Sequence, residues 1–497
     1  MRRPHHIIII SVFIVGCLQL AAQSPTPPNI IFFLVDDMGW QDTSVPFLYG
    51  DDGKPVITPL NQRYRTPAME TLAAAGVKFT NAYAMSVCTP SRVAWITGKN
   101  SVRHRVTNWT HPKGNENSYN RVDSHRSPND WLRMGLAESE TTLPSLLQAA
   151  EYRTIYAGKA HFGASEYARD PLNLGFDVNI AGSEIGHPGS YLGDYGQKSD
   201  RPVPGMDDYH NTGIHLTEST TIEVKKAIGR AVHENQPFFA CVSHYAVHTP
   251  FELDPRFARN YPGLSGKPLA YATLIEGMDK SLGDILAHMN ALGVADNTLI
   301  IFMSDNGGDA PAQNADLSNA PLRHKKGSKY EGGSRVPMIA AWAASNPENP
   351  HQKRIPIAAA SREDDIVVIF DIFPTLANIG GLEAPTDIDG HDLTPYLQGK
   401  PGTHRPQELL IHFPHGHRSQ FFTTLRQGPW KLIYNYAPDS FELYHLENDL
   451  SESKNLAESE PERVRAMAKR MLEIVEESGG QWPTLSESGR EDPLRVP

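Results

Sequence analysis

Two apolar stretches constrain the fold of this chain before anything else. Ile30 to Val35 is an unbroken apolar run that leads into Asp36-Asp37, and Leu299 to Met303 is a second that leads through Ser304 into Asp305-Asn306. A run with no polar face has to be covered on both sides, as an inner strand of a parallel or mixed sheet is. Similar runs recur in "YRTIYA" (152–157) and "PFFACVSHY" (237–245). Between them lie helical patterns at 66–76, 141–151 and, longest, 271–293. Strands that alternate with helices predict an α/β fold, a large α/β/α sandwich around a mixed, mostly parallel sheet. Ligands of such sheets gather where strands end and loops begin. Past a Pro- and Gly-rich stretch near 385–405, "FFTTLRQGPWKLIYNY" and "FELYHLEND" predict short antiparallel strands, and the segment from Ser459 to Gly480 an amphipathic helix. The expected division is a leader over 1–23, a main unit over 24–395 and a small C-terminal antiparallel sheet with a helix over 396–497.

The chain carries a net charge of −11, which argues against nucleic acid as a partner. An anionic ligand therefore needs a local cluster of cations. Arg2-Arg3 followed by the apolar run Ile7 to Val15 reads as an export signal, since the run is too short to span a bilayer. Two processing sites fit. Ile14-Val15-Gly16-Cys17 resembles a lipoprotein box and would make a lipid on Cys17 the membrane attachment. Ala21-Ala22-Gln23 would release a soluble periplasmic or secreted product. Of the three cysteines, Cys17 belongs to this leader. Cys241 lies in a strand-like run where a buried, inert thiol is expected. Cys88, in the Pro/Ser turn of "MSVCTPSRVAWITG" (85–98), is set apart for chemistry.

Other polar motifs also fall at strand ends. Asp36, Asp37, Asp305 and Asn306 offer three carboxylates and an amide oxygen, a donor set suited to calcium or magnesium; the same residue types also cap helices and form turns. Gly158-Lys159-Ala160-His161 follows "YRTIYA", and His248 follows the run that holds Cys241, with His244 four residues earlier. Lys325, Lys326 and Lys329 lie in the Gly-rich loop 325–337. No His-Glu-x-x-His zinc motif, P-loop or Rossmann glycine fingerprint is present. Two long irregular stretches, 99–140 and 183–215, are of a length that in compact enzymes is often functional.

Taken together, these pieces resemble the formylglycine-dependent sulfatases of the alkaline-phosphatase superfamily. Cys88-Thr89-Pro90-Ser91-Arg92 matches the family's Cys-x-Pro-Ser-Arg signature, continued by Ile96-Thr97-Gly98, with Lys99 where the family has arginine. The resemblance runs from about residue 28 to 475 in family order. It implies an alkaline-phosphatase-like fold and conversion of Cys88 by a formylglycine-generating maturation enzyme. One hydroxyl of the hydrated aldehyde attacks sulfur, and the second lets sulfate leave. By motif, Asp36, Asp37, Asp305, Asn306 and residue 88 bind calcium, magnesium being the lesser fit, and Arg92 holds the diol. Lys159 and Lys326 bind sulfate oxygens; Lys326 is the lysine of the Lys-Gly-x-x-x-Glu-Gly-Gly pattern that ends in Glu331-Gly332-Gly333. His248 protonates the leaving alcohol and His161 serves as the base. "RHRVTNWT" (103–110), "GKAHFG" and "DPLNLGFDVNIAG" (170–182) resemble bacterial exported glycan sulfatases, with Arg103, His104, Arg105, Trp109 and Trp131 as sugar contacts. The implied activity is exo-hydrolysis of a sulfate ester on a sulfated polysaccharide or its oligosaccharides, with 4-O-sulfated galactose or N-acetylgalactosamine as the favoured sugar. Two alternatives stand beside it: a phosphonate monoester or phosphodiester hydrolase of the same superfamily, and a non-catalytic binder of sulfated glycans.

Overall fold

The structure, a computed structural model, describes residues 27–116, 122–311, 319–400 and 405–497. The leader over 1–23, with Cys17 and Ala21-Ala22-Gln23, lies outside the described residues. Eight strands form the central sheet: β1 (Asn29–Val35), β2 (Val77–Phe79), β3 (Arg153–Gly158), β4 (Val178–Ile180), β5 (Phe238–Ser243), β6 (Thr298–Ser304), β7 (Met338–Trp342) and β8 (Ser361–Glu363). Their order across the sheet is β8-β2-β7-β6-β1-β5-β3-β4. Only β7 runs antiparallel to its neighbours, β2 and β6, which makes the sheet mixed and mostly parallel as expected.

Every residue of β1, β5 and β6 is buried, because both faces of the sheet are covered. The two-residue period of a strand divides them. Ile30, Phe32 and Leu34 face one core, shared with α2 (Cys88–Thr97) and α5 (Ile372–Ile379). Ile31, Phe33 and Val35 face the other, under α1 (Pro67–Ala75), α3 (Leu216–His233) and α4 (Gly266–Ala291). The N-terminus of α1 is satisfied from outside: Asp279 of α4 accepts hydrogen bonds from the Ala68 and Met69 amides at 2.9 and 2.8 Å.

The chain then crosses to a second sheet, a four-stranded antiparallel meander of β9 (Glu408–Phe413), β10 (Phe422–Gln427), β11 (Trp430–Asn435) and β12 (Ser440–His445). The helix α6 (Pro461–Glu477) lays Val464, Met467, Ala468, Met471 and Val475, its i, i+3, i+4 face, over Leu425, Leu432 and Tyr434. A buried ionic cluster joins the two sheets. Lys431 of β11 lies 3.0 Å from Glu331 and 2.8 Å from Glu452, Tyr83 donates to Glu331 at 2.6 Å, and the Glu331 amide donates to Glu452 at 2.7 Å.

Candidate active site

The polar motifs converge because four adjacent parallel strands, β6-β1-β5-β3, point their C-terminal ends the same way. Asp36-Asp37 follow β1, Asp305-Asn306 follow β6, Lys159 and His161 follow β3, and His248 lies in the loop after β5. The links between these ends are direct. The Asp37 amide donates to Asp305 Oδ1 at 3.2 Å, and Asn306 Nδ2 donates to Asp37 Oδ1 at 2.8 Å. Lys159 Nζ sits 2.6 Å from Asp36 Oδ2, and Lys326 Nζ sits 2.5 Å from Asp37 Oδ1. Asp37 (φ 63°) and His161 (φ 51°) adopt the left-handed conformation, which costs a non-glycine residue about 1–3 kcal/mol and collects at functional sites.

Charge is balanced locally. Burial would raise the Asp37 carboxyl, but Lys326, His248, Lys159 and the Asn306 amide overcome it and hold the group far below the usual carboxylate range. Asp36 moves the other way: burial and the neighbouring Asp305 raise it, against the pull of Lys159.

Cys88 opens α2 and is 4% exposed. Its Sγ lies 3.3 Å from His161 Nδ1, while His161 Nε2 is 2.8 Å from the Thr110 carbonyl. A carbonyl only accepts, so Nε2 carries the proton and the Nδ1 lone pair faces position 88. Burial, then Lys159, push this imidazole well below its ordinary value, so it is a neutral acceptor. His248 Nε2 lies 3.4 Å from Asp37 Oδ2, and its ring stacks on His187 at 5.4 Å. Arg92, one helical turn after Cys88, is fully buried. Nε and Nη2 donate to Asp305 at 3.0 and 2.8 Å, and Nη1 donates to the Lys159 carbonyl at 2.6 Å and the Ser243 hydroxyl at 2.7 Å.

A cavity of about 450 Å³ opens over Cys88, His161, His248 and Lys326, with Trp109 in its wall, a size usual for small-ligand sites. Five of the expected residues therefore face one space. Others are placed differently. Arg92 makes no hydrogen bond to Cys88 among the described residues, since its donors go to Asp305, Lys159 and Ser243. Lys159 is fully buried on Asp36, and Lys326 is the lysine that lines the cavity. Arg103, His104 and Arg105 do not line this cavity. Arg103 pairs with Asp389 at 2.8 Å, His104 lies 3.3 Å from the Pro90 carbonyl with its ring pushed down to about 3 by burial, and Arg105 donates to the Asp130 carbonyl at 3.0 Å. Trp131 donates to Glu116 at 3.0 Å and meets His415 edge-on, away from the cavity lining. Lys325 pairs with Asp309 and Lys329 with Glu442. His244 is buried against Ser281, and Cys241 is a buried free thiol whose titration burial pushes up.

Sequence reasoning missed His187, Arg201, His417 and Arg418, which complete the wall. His187 and Arg201 come from the irregular stretch 183–215, whose length was the available signal. His417 and Arg418 lie in the β9–β10 connection, so the small sheet contributes to the cavity of the large one.

The donor set fits a hard divalent cation. Asp36 Oδ1 and Asn306 Oδ1 are buried oxygens with no hydrogen-bond partner, and Asp36, Asp37 and His248 bring ligand atoms within 4.8 Å of one another. Spare oxygens in a dry acidic nest are what such an ion uses.

An eight-stranded mixed sheet with an acidic nest, a helix-start cysteine and a neutral imidazole acceptor at its strand ends defines a hydrolase of anionic esters. Residues 28–382 match the Sulfatase family model, and residues 324–478 match the model for the C-terminal region of N-sulphoglucosamine sulphohydrolase. The chain belongs to the sulfatase family and is a sulfuric ester hydrolase. It is 32% identical over 401 residues to N-acetylgalactosamine-6-sulfatase of Rattus norvegicus, covering 76% of this chain and 68% of the relative. A sulfatase of Formosa agariphila is 27% identical over 512 residues, 87% of this chain and 85% of that one. Among solved structures, Ps i-CgsB in complex with k-i-k-neocarrahexaose superimposes with a TM-score of 0.69 at 25% identity, covering 90% of this chain and 93% of the other. Sulfatases use a formylglycine and a divalent metal.

Proposed function

We propose that this protein is an exported, calcium-dependent sulfatase that removes a sulfate ester from a carbohydrate, acting from the end of a sulfated polysaccharide or its oligosaccharides. The observation that carries the reading is the convergence on one cavity of Cys88, the His161 Nδ1 lone pair 3.3 Å away, Lys326 and His248. Relatives whose names specify sulfated amino sugars support a carbohydrate ester.

In this reading Asp36, Asp37, Asp305 and Asn306, with an oxygen on residue 88, hold the calcium, which when bound supplies polarisation of a sulfate oxygen. Residue 88, as formylglycine hydrate formed by a maturation enzyme, supplies one hydroxyl for attack and a second for release. Lys326 faces the sulfate and offsets its charge. His161 accepts a proton at Nδ1, held in the correct tautomer by the Thr110 carbonyl. His248 gives a proton to the departing alcohol; an anion placed between it and Lys326 favours its protonated form. Arg92 acts through Asp305, whose carboxylate it fixes. Lys159 balances Asp36.

The test is a mass measurement of the peptide around residue 88 after co-expression with a maturation enzyme. It is paired with sulfate release from N-acetylgalactosamine and galactose sulfated at O4 or O6. The O4 arm follows the favoured sugar of the sequence reading, and the O6 arm follows the named relatives. Conversion with release from one of these sugars is expected. Conversion without release from any glycan overturns the carbohydrate assignment.

A further inference from the structure

Three cationic side chains line the cavity among the described residues: Lys326, Arg418 and Arg201. Two are already committed. Lys326 is on Asp37 at 2.5 Å, and Arg418 grips Asp309 with both terminal nitrogens at 2.8 and 2.6 Å. Arg201 is different. Its side chain is 23% exposed and, among the described residues, its guanidinium makes no hydrogen bond and its one ionic neighbour is Asp200 at 3.9 Å, an acid 83% exposed to solvent. A contact of that length to a solvated acid contributes almost nothing. A guanidinium in a cavity wall that is not committed to a neighbouring acid is free to bind an anion that enters.

The loop backbone at Arg201 is held in place. The Gly189 amide donates to the Arg201 carbonyl at 2.9 Å, and the Arg201 amide donates to Ser199 Oγ at 3.0 Å. Gly196, in the left-handed conformation (φ 83°), lets the loop fold on itself; a Cβ there would meet Gly189 at 2.6 Å and the Arg201 carbonyl at 3.0 Å. Arg201 and His187 line the same cavity, and His187 stacks on His248.

We propose that Arg201 is a specificity-determining residue that binds a second anionic group of the substrate, a carboxylate or a second sulfate, besides the ester being cleaved. The inference rests on the carbohydrate sulfatase reading and narrows its substrate class to doubly charged glycans. A planar guanidinium fork suits either anion.

The experiment compares converted wild type with Arg201→Ala and Arg201→Lys on three probes: a monosulfated N-acetylgalactosamine, its disulfate, and a monosulfated N-acetylgalactosamine joined to glucuronic acid. Wild type should prefer a doubly charged probe, and the two such probes show whether sulfate or carboxylate is favoured. In Arg201→Ala the ratio of kcat/KM for that probe over the monosulfated sugar should fall by about 10- to 100-fold, carried by KM, with Arg201→Lys between the two. Equal kcat/KM on singly and doubly charged probes in wild type, or an equal loss on both in the variant, overturns the proposal. Should wild type release sulfate from no glycan, the carbohydrate reading fails. The proposal is then judged by binding alone: Cys88→Ala protein should hold the disulfate more tightly than the monosulfate, and adding Arg201→Ala should abolish that difference. No difference in affinity overturns it.

Discussion

Two buried ionic clusters lie in this molecule, and they differ in what they leave unused. At the strand ends, Asp36, Asp37 and Asp305 face Arg92, Lys159 and Lys326, yet buried oxygens on Asp36 and Asn306 stay without hydrogen-bond partners. Between the sheets, Glu331 has one oxygen on Lys431 and the other on Tyr83, with Arg335 at 3.6 Å, and Glu452 takes the Glu331 amide and Lys431. Both clusters are dry and charged. The first opens onto the cavity over Cys88, and the second borders a separate cavity through Arg335 and Arg426. Burial of charge therefore does not distinguish a working site from a structural joint; unspent valence does.

Breaking each cluster at its lysine should separate the two most sharply. Lys326→Ala is expected to cut kcat/KM by about 10²–10³-fold, with the melting temperature changed far less than in the next variant. Lys431→Ala should do the reverse, removing about 3–5 kcal/mol of unfolding free energy because Glu331 and Glu452 lose their shared cation, while the folded fraction keeps its turnover per molecule. Denaturant titration and steady-state kinetics on both proteins check the pair; a common loss of activity and stability in both would erase the distinction.

A buried acid outside both clusters sharpens it further. Asp279 has two backbone donors but no cation, and burial, reinforced by Glu70 and Glu276, pushes it up to about 7. Its folded value lies above its unfolded one, so the protonated form is the stabilising one. Its contribution is complete below about pH 4 and is lost as pH rises towards 7, on the order of 1 kcal/mol per pH unit. Melting curves of Asp279→Asn across that window should be flatter than those of wild type. The smallest effect concerns a pair that belongs to neither cluster: Arg103→Ala breaks a half-exposed contact with Asp389, and should cost less than about 1 kcal/mol while leaving KM for every sulfated sugar unchanged.

The strands that deliver the site were legible because a strand covered on both faces has to be apolar throughout, and a residue that follows it cannot be hidden among apolar neighbours without a reason. Asp36, Asp305, Lys159 and His248 could be read that way. Strand β7 was not anticipated, because "MIAAW" is short and its place beside β6 comes from an antiparallel return that no local pattern announces. β9 was missed for a similar reason. Arg103, His104 and Arg105 came from resemblance alone, and the fold sets them outside the cavity lining. The αL turn at Arg105, φ 60°, closes a short helix whose side chains are taken up by Asp389, Pro90 and Asp130. Arg201 and Arg418 could not have been found at all: each is an ordinary loop arginine until the fold sets it beside residues far away in the chain.

The ion pair between Asp37 and Lys326 joins residues 289 positions apart. At roughly 5–20 residues per second, a ribosome needs on the order of a quarter of a minute to a minute to make the stretch between them. Through that interval Asp37 has no Lys326 to pair with, and the segment that begins at Cys88, buried in the finished molecule, is still an open peptide. Position 88 thus passes from an open peptide to a side chain 4% exposed at the cavity only when the far end of the chain arrives, so the conversion proposed for it is favoured on the chain before folding is complete.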